Sequence, residues 1–107
     1  MTRARSEEEI GGAETHVVEL SKELKKQGVW IYGTAAEGTT PLYGADLRGP
    51  AAIVIGSEGS GMGRLVRETC DFLVSIPMKG RISSLNASAA AAILLYEAVR
   101  QRQERAD

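Results

Sequence analysis

Residues 51–61 read AAIVIGSEGSG, and this stretch decides the class of fold. Its first half, Ala51 to Ile55, is continuously apolar, which is typical of a strand covered on both faces in a parallel sheet. Its second half, Gly56 to Gly61, is a glycine-rich turn in which backbone amides can approach a ligand closely. A short helix is predicted to follow from Arg64 to Cys70. A strand that enters a helix through such a turn is the building unit of α/β proteins.

The segments on either side continue this alternation of strands and helices. Apolar residues at helical spacing predict two longer helices, and runs of β-branched and aromatic residues predict two further strands. The predicted elements are a helix over 17–27, a strand over 29–34, a loop over 36–50, the strand over 51–55, the helix over 64–70, a strand over 72–76, a loop over 77–84 and a helix over 86–105. Gly28 is predicted to cap the end of the first helix, and Leu42 and Leu47 are expected to be the hydrophobic anchors of the loop over 36–50. This order predicts an α/β fold with a parallel sheet flanked by helices. A sheet of three strands is small, which suggests that part of it is missing or comes from another chain.

The composition is that of a globular protein with no strong electrostatic bias. Apolar residues make up 43% and charged residues 25% of the chain, and the net charge is −1. No segment is strongly basic, so composition alone contains no signal for nucleic-acid binding. A single cysteine and a single histidine exclude a disulfide framework and a Cys/His zinc site, and no metal is predicted. With no secretory signal and no apolar run near the about 20 residues of a membrane span, we expect a cytoplasmic protein without a membrane partner.

The glycine-rich turn is the first candidate for a ligand site. Its pattern, G-S-E-G-S-G, is neither the dinucleotide fingerprint nor a phosphate-binding P-loop. On shape alone, a plain connection between strand and helix explains Gly56 to Gly61 as well as a ligand site does. Glu58, within the turn, is either a solvated acid that stabilises the start of the next helix or an acid that orients a hydroxyl or an arginine in a pocket.

Two further loops contain candidate residues. Pro77 directly follows a predicted strand and ends its pairing, which leaves backbone groups of Ile76 and Met78 available to a ligand, although Met78 is more simply a core residue. Ser84 or Asn86 can cap the last helix, whose N-terminus then faces the adjoining loops. Because ligands of open α/β sheets bind beyond the carboxyl ends of the strands, we expect these loops and the glycine-rich turn to meet at one edge.

The string IVIGSEGSGMGRLVRETCDFLVSIPMKGRISSLNASAAAAILLYEAVRQR, residues 53–102, resembles the SpoU (TrmH-like) family of RNA ribose 2′-O-methyltransferases. It contains the G-x-E-G-x-G turn and the I-P-M and S-L-N-x-S stretch in the order and at the spacing of the family's second and third motifs. The segments GVWIYGT and TPLYGADLRGP, within residues 28–50, resemble the rRNA-modifying branch. The resemblance implies a SPOUT-type α/β trefoil knot and methylation of an rRNA ribose 2′-hydroxyl at a guanosine-type site.

The resemblance also implies a cofactor and the residues that hold it. S-adenosylmethionine would be bound in the knot, largely by loop backbone. The matching positions in this sequence are Gly56, Ile76, Met78, Leu85 and Asn86.

Catalysis and assembly are implied in the same way. Glu58, Ser84 and Asn86 match active-site positions of the family, with Glu58 and Asn86 orienting the reacting groups and Ser84 supporting them. The implied partners are RNA and a second copy of the chain, which would contact the first through the C-terminal helix. The small residues Ala89 to Ala92 permit a close approach of helices there, although an ordinary buried alanine face explains them equally well.

The N-terminal part departs from the family pattern. The family's first motif, an asparagine followed by an arginine thought to activate the ribose hydroxyl, has no match, and Asn86 is the only asparagine in the chain. We therefore divide the chain into a flexible or rearranged stretch, residues 1–16, and the C-terminal part of a SpoU domain, residues 17–107, truncated at its N-terminus. The alternative to an active enzyme is a non-catalytic knotted module that binds cofactor and dimerises. An unrelated nucleotide-binding α/β protein is a third hypothesis.

Overall fold

The computed structural model describes residues 2–35, 37–56, 63–77 and 87–106. They form a parallel sheet with helices packed against it, which confirms the predicted fold class. The elements are α1 (Thr2–Lys26), β1 (Trp30–Thr34), β2 (Thr40–Pro41), a 3₁₀ turn (Leu42–Gly44), β3 (Ala51–Val54), α2 (Arg64–Thr69), β4 (Phe72–Ser75) and α3 (Ala87–Ala106). None of the described helices is both long and apolar enough to cross a membrane.

The sheet has four strands in the order β2-β4-β1-β3, and every pairing is parallel. β1 is central, with β3 on one side and β4 on the other. The fourth strand, β2, lies within the segment that the sequence predicts as a loop. Local pattern does not reveal it, because it has only two residues and one of them is Pro41, which is confined to sheet edges.

The connection from β1 to β2 passes directly over β4. Thr34 of β1 and Thr40 of β2 both pair with Val74, from opposite sides of β4, so the residues between them must cross that strand. Gly38 makes the crossing possible. A Cβ at this position would lie 2.5 Å from the carbonyl oxygen of Leu73. The predicted trefoil knot also depends on the path of residues 78–86, which lie outside the described residues.

The strand β3 is less enclosed than its sequence predicts. A continuously apolar strand is expected between two covered faces, but every residue of β3 is only half-buried. The reason is its position: β3 pairs with β1 on one side and has no strand on the other among the described residues. Apolar sequence therefore predicted the strand correctly but not its place at an edge.

The helix α1 begins at Thr2 and is continuous past residue 16. The division of the chain at that residue remains a prediction. The last residue of α1 is Lys26, and Gly28 follows as the C-terminal glycine that the sequence predicts. Gly28 has φ +87°, and its N–H donates to Lys25 while that of Val29 donates to Leu24, the pattern of a Schellman motif. This turn directs the chain from α1 into β1.

One face of the sheet is covered by the segment after β2 and by α3. Leu42 and Leu47, the predicted hydrophobic anchors of this segment, are buried and pack with Val74 and Leu94. Tyr32 extends from β1 into the same cluster, and its hydroxyl donates a 2.5 Å hydrogen bond to the carbonyl of Asp46. Leu42, Ala45 and Leu47 of this segment are thus enclosed between the sheet and α3.

The helices α1 and α2 pack against each other, and α1 also contacts β1. Ile31, which alternates with Tyr32 along β1, is fully buried. Asp71 joins the start of β4 to β1 by accepting a 2.7 Å hydrogen bond from the Ile31 N–H and donating its own N–H to the Ile31 carbonyl. Lys25, in the last turn of α1, forms an ion pair with the Asp71 carboxylate.

Candidate functional site

We define a notch at the carboxyl edge of the sheet, where the chain turns aside after β1. After Thr34 the chain crosses β4, with the Ala35 N–H donating to the Val74 carbonyl, whereas after β3 it continues to Gly56 and after β4 to Ile76. Because β1 lies between β3 and β4, the two continuing segments are about 10 Å apart, two strand spacings. The carboxyl end of a central strand whose chain turns aside between two neighbouring strands is a place where α/β proteins hold ligands.

The structure brings two of the predicted site residues to this notch. Gly56 is half-buried, and Ile76 packs its side chain against the core cluster that contains Val74 and Leu94. A side chain anchored in this way fixes the direction of the backbone that leaves β4. The remaining predicted site residues lie outside the described residues: Glu58, Met78, Ser84, Leu85 and Asn86.

The helix α2 resumes the described chain on the far side of the glycine-rich turn, and two contacts hold it. Gly63 precedes its first residue, and a Cβ there would overlap the carboxylate of Glu14 from α1. Arg67 donates a 2.7 Å hydrogen bond to Glu37, in the connection that crosses β4. This bond and the charge of Arg67 hold the pKa of Glu37 below its ordinary value.

A polar cluster lies on α3, about 15–20 Å along the helix from its first residue. The buried carboxylate of Glu97 accepts hydrogen bonds from Arg100 at 2.8 and 2.9 Å and from Gln101 at 2.9 Å. The hydrogen bonds from Arg100 are the main cause that lowers the pKa of Glu97 to about 2, and they outweigh burial, which raises this pKa. Gln101 also bonds to the backbone of Ala45 and Leu47.

An open cleft of about 430 Å³ adjoins this cluster, between α3 and the segment after β2. Its two arginines are already paired: Arg48 with Asp46, and Arg100 with Glu97 and Glu104. The cleft therefore presents no excess of positive charge to an anionic ligand. It lies away from the notch and contains none of the residues that the sequence predicts for the site.

Comparison with known proteins identifies the lineage. The family model described as "SpoU rRNA Methylase family" matches residues 7–96. The chain belongs to the SpoU rRNA methylase family. The match extends from α1 into α3, so it covers the sheet, the notch and both segments that contain the predicted site residues.

Curated relatives carry the name 23S rRNA (guanosine-2′-O-)-methyltransferase RlmB. The relative from Ralstonia nicotianae is 56% identical over 82% of this chain, and that from Vibrio vulnificus is 50% identical over 95% of it. The chain spans 35% and 44% of the length of these two relatives. This SpoU chain therefore corresponds to less than half of each of these relatives.

Solved structures of SpoU proteins share the fold. The TrmH/SpoU tRNA modifying enzyme of A. aeolicus has a TM-score of 0.76 and 36% identity, over 83% of this chain and 46% of the other. The SpoU methyltransferase AviRb from Streptomyces viridochromogenes, solved in complex with the cofactor AdoMet, has a TM-score of 0.71 and 39% identity, over 82% of this chain and 34% of its own.

Sequence reasoning missed the pair Glu37–Arg67 and the role of Gln101. For Gln101 a signal existed, because it continues the buried spacing of Ala90, Leu94 and Glu97 along α3 and a polar residue at a core position needs a partner. For Glu37 and Arg67 no local signal existed, since they are 30 residues apart and each resembles an ordinary solvated charge.

Proposed function

We propose that the chain is part of an enzyme that transfers a methyl group from S-adenosylmethionine to a ribose 2′-hydroxyl of RNA, specifically to a guanosine of 23S rRNA. The observation that carries the proposal is the notch at the carboxyl edge, where Gly56 and Ile76 lie on either side of the end of β1. The RlmB name of the relatives at 50–56% identity supports the choice of substrate.

The residues at the notch suit the adenosyl part of this cofactor. The segments that leave β3 and β4 contribute Ile55, Gly56, Ile76 and Pro77, which offer apolar surface and backbone groups without a charged side chain. An adenosine is recognised by this kind of lining, because its ring is apolar on its faces and its polar edges need only a few placed donors and acceptors. Met78, Leu85 and Asn86 complete the proposed cofactor site.

Glu58, Ser84 and Asn86 are proposed to act on the RNA. When bound, S-adenosylmethionine supplies a methyl group on a sulfonium, so that positioning the acceptor oxygen in line is much of the catalytic task. A ribose hydroxyl is a weak nucleophile near neutral pH, and hydrogen bonds that orient and polarise it increase its reactivity. Glu58 and Asn86 supply such bonds, and Ser84 supports their orientation.

We also propose a homodimer through the face of α3 that points away from the sheet. The residues that contact the core, among them Ala90 and Leu94, occupy one side of this helix. Leu95, Tyr96 and Val99 occupy another side and are 45–75% exposed. An exposed strip with three large apolar residues suits a second copy of the same helix, because a two-fold interface pairs like with like.

The predicted cytoplasmic location remains part of the proposal.

Calorimetric titration and a methyl-transfer assay together test the proposed activity. We expect heat of binding with S-adenosylmethionine and none with NAD, and transfer of labelled methyl to unmodified 23S rRNA that is lost in Asn86→Ala and retained in Gln103→Ala, an exposed position on α3. Binding without transfer favours the non-catalytic module. A folded chain that binds NAD in preference, or binds neither ligand, overturns the proposal.

A further inference from the structure

We infer that Glu37 and Arg67 are a positioning pair, which fixes α2 relative to the sheet edge where cofactor binding is proposed. The inference rests on the proposed function, since it concerns the same notch. Arg67 lies four residues after Gly63, where the described chain resumes beyond the turn. The position of α2 therefore determines where the turn must end.

The helix α2 has few means of holding its own position. It has six residues, which is too short for a helix to be stable without outside contacts, and Val66 is its one buried residue. The ion pair between Arg64 and Glu68 lies within the helix and fixes nothing outside it. The helix also packs on α1, where Glu14 lies close to Gly63, so a second contact, with the connection after β1, fixes α2 relative to the sheet.

The Glu37 carboxylate supplies this second contact from a rigid platform. The connection that contains Glu37 is closed by the Gly38 N–H donating to Ala35, and the Ala35 N–H donates to Val74. Gly38 is pressed against the backbone of β4, so this connection cannot shift without moving the strand. Arg67 is thus tied through Glu37 to β4, the strand from which Ile76 continues to the other side of the notch.

The Arg67 guanidinium is paired with Glu37 and is therefore not available to an RNA phosphate. An arginine near the substrate edge suits a phosphate group. In the structure its guanidinium is 2.7 Å from Glu37, and the Arg67 and Glu37 side chains are 35% and 67% exposed. A pair this exposed contributes little to global stability. Its loss should therefore affect the position of α2 and leave the fold intact.

The experiment compares Glu37→Gln, Arg67→Gln and the exchanged pair Glu37→Arg/Arg67→Glu with the unchanged chain. Arg64→Gln is the matched control, because it breaks an ion pair on the same helix that does not leave α2. Amide hydrogen exchange of residues 64–69 reports how firmly α2 is held in the absence of cofactor. Calorimetric titration with S-adenosylmethionine reports the consequence for binding, and thermal unfolding verifies the fold.

We expect both single variants to exchange the α2 amides about fivefold faster and to raise the Kd for S-adenosylmethionine about fivefold, the upper range for an exposed pair. The exchanged pair should recover most of both effects, and the control should show neither. Unchanged amide exchange overturns the inference, and so does faster exchange with an unchanged Kd. Weaker RNA binding in Arg67→Gln with unchanged cofactor binding also overturns it, in favour of a phosphate contact. If the unchanged chain binds no cofactor, the proposed function fails, and amide exchange still decides whether the pair holds α2.

Discussion

The side-chain oxygen of Gln101 on α3 accepts a 2.7 Å hydrogen bond from the backbone N–H of Leu47, in the segment after β2. The same side chain donates to the Ala45 carbonyl at 2.9 Å. The Leu47 N–H and the Ala45 carbonyl do not belong to a helix or strand, so no neighbouring backbone ladder would replace the hydrogen bonds that Gln101 makes to them. One glutamine thus joins the last helix to a segment more than 50 residues earlier.

Replacing Gln101 with alanine should destabilise the fold. The variant leaves a buried N–H and a buried carbonyl unsatisfied, which costs about 1–3 kcal/mol per site. For a domain of this size each kcal/mol corresponds to a fall in Tm of about 4–8 °C. Thermal unfolding followed by circular dichroism measures the change, with the exposed neighbour Gln103→Ala as control. Equal Tm values for the two variants would show that the Gln101 bonds contribute nothing.

Stability should fall in acid because of Glu97. Its pKa is about 2 in the folded chain and about 4.5 when unfolded, so ionised Glu97 stabilises the fold above pH 4.5, and this contribution is lost as the pH falls toward 2. The full contribution is at most about 3 kcal/mol. Unfolding midpoints measured from pH 7 to pH 2 should decrease less steeply in Glu97→Gln than in the unchanged chain. Glu104→Gln, at an exposed position, should leave the steep decrease in place.

Gly38 should not tolerate a side chain. In Gly38→Ala the new Cβ meets the backbone of β4 at 2.5–2.9 Å, and backbone cannot rotate aside as a flexible side chain can. We expect a loss of about 1–3 kcal/mol in the free energy of unfolding, measured by urea denaturation. Gly49→Ala is the control, because a Cβ there has no neighbour within 4 Å. Equal stability of the two variants contradicts the close crossing of β4.

A charge on the exposed face of α3 should prevent the proposed dimer. Leu95 and Tyr96 are 56% and 75% exposed, so the double variant Leu95→Glu/Tyr96→Glu should fold normally and lose self-association, because like charges would face each other across the two-fold interface. Light scattering after gel filtration should find a dimer for the unchanged chain and a monomer for the variant. Lys22→Glu, on the exposed side of α1, should remain dimeric. A monomeric unchanged chain refutes the dimer.

Much of the fold follows from local pattern. The cap at Gly28 and the burial of Leu42 and Leu47 were predicted from residue type and spacing and are confirmed, and the strand predicted over 51–55 is present as Ala51–Val54. The strand β2 was missed because two residues contain no periodicity. The position of β3 at an edge was missed because apolar composition reports burial tendency and not the number of neighbouring strands.

The sequence by itself determined the lineage and the candidate site residues. Motifs such as G-S-E-G-S-G and S-S-L-N are contiguous, so their chemistry and spacing can be recognised without coordinates. Only the tertiary structure decided that Gln101 meets Leu47, that Arg67 meets Glu37, and that Gly56 and Ile76 lie on either side of the end of β1. These relationships depend on how strands far apart in the chain pair and on which face each connection crosses. Side-chain chemistry at a single position contains no information about either.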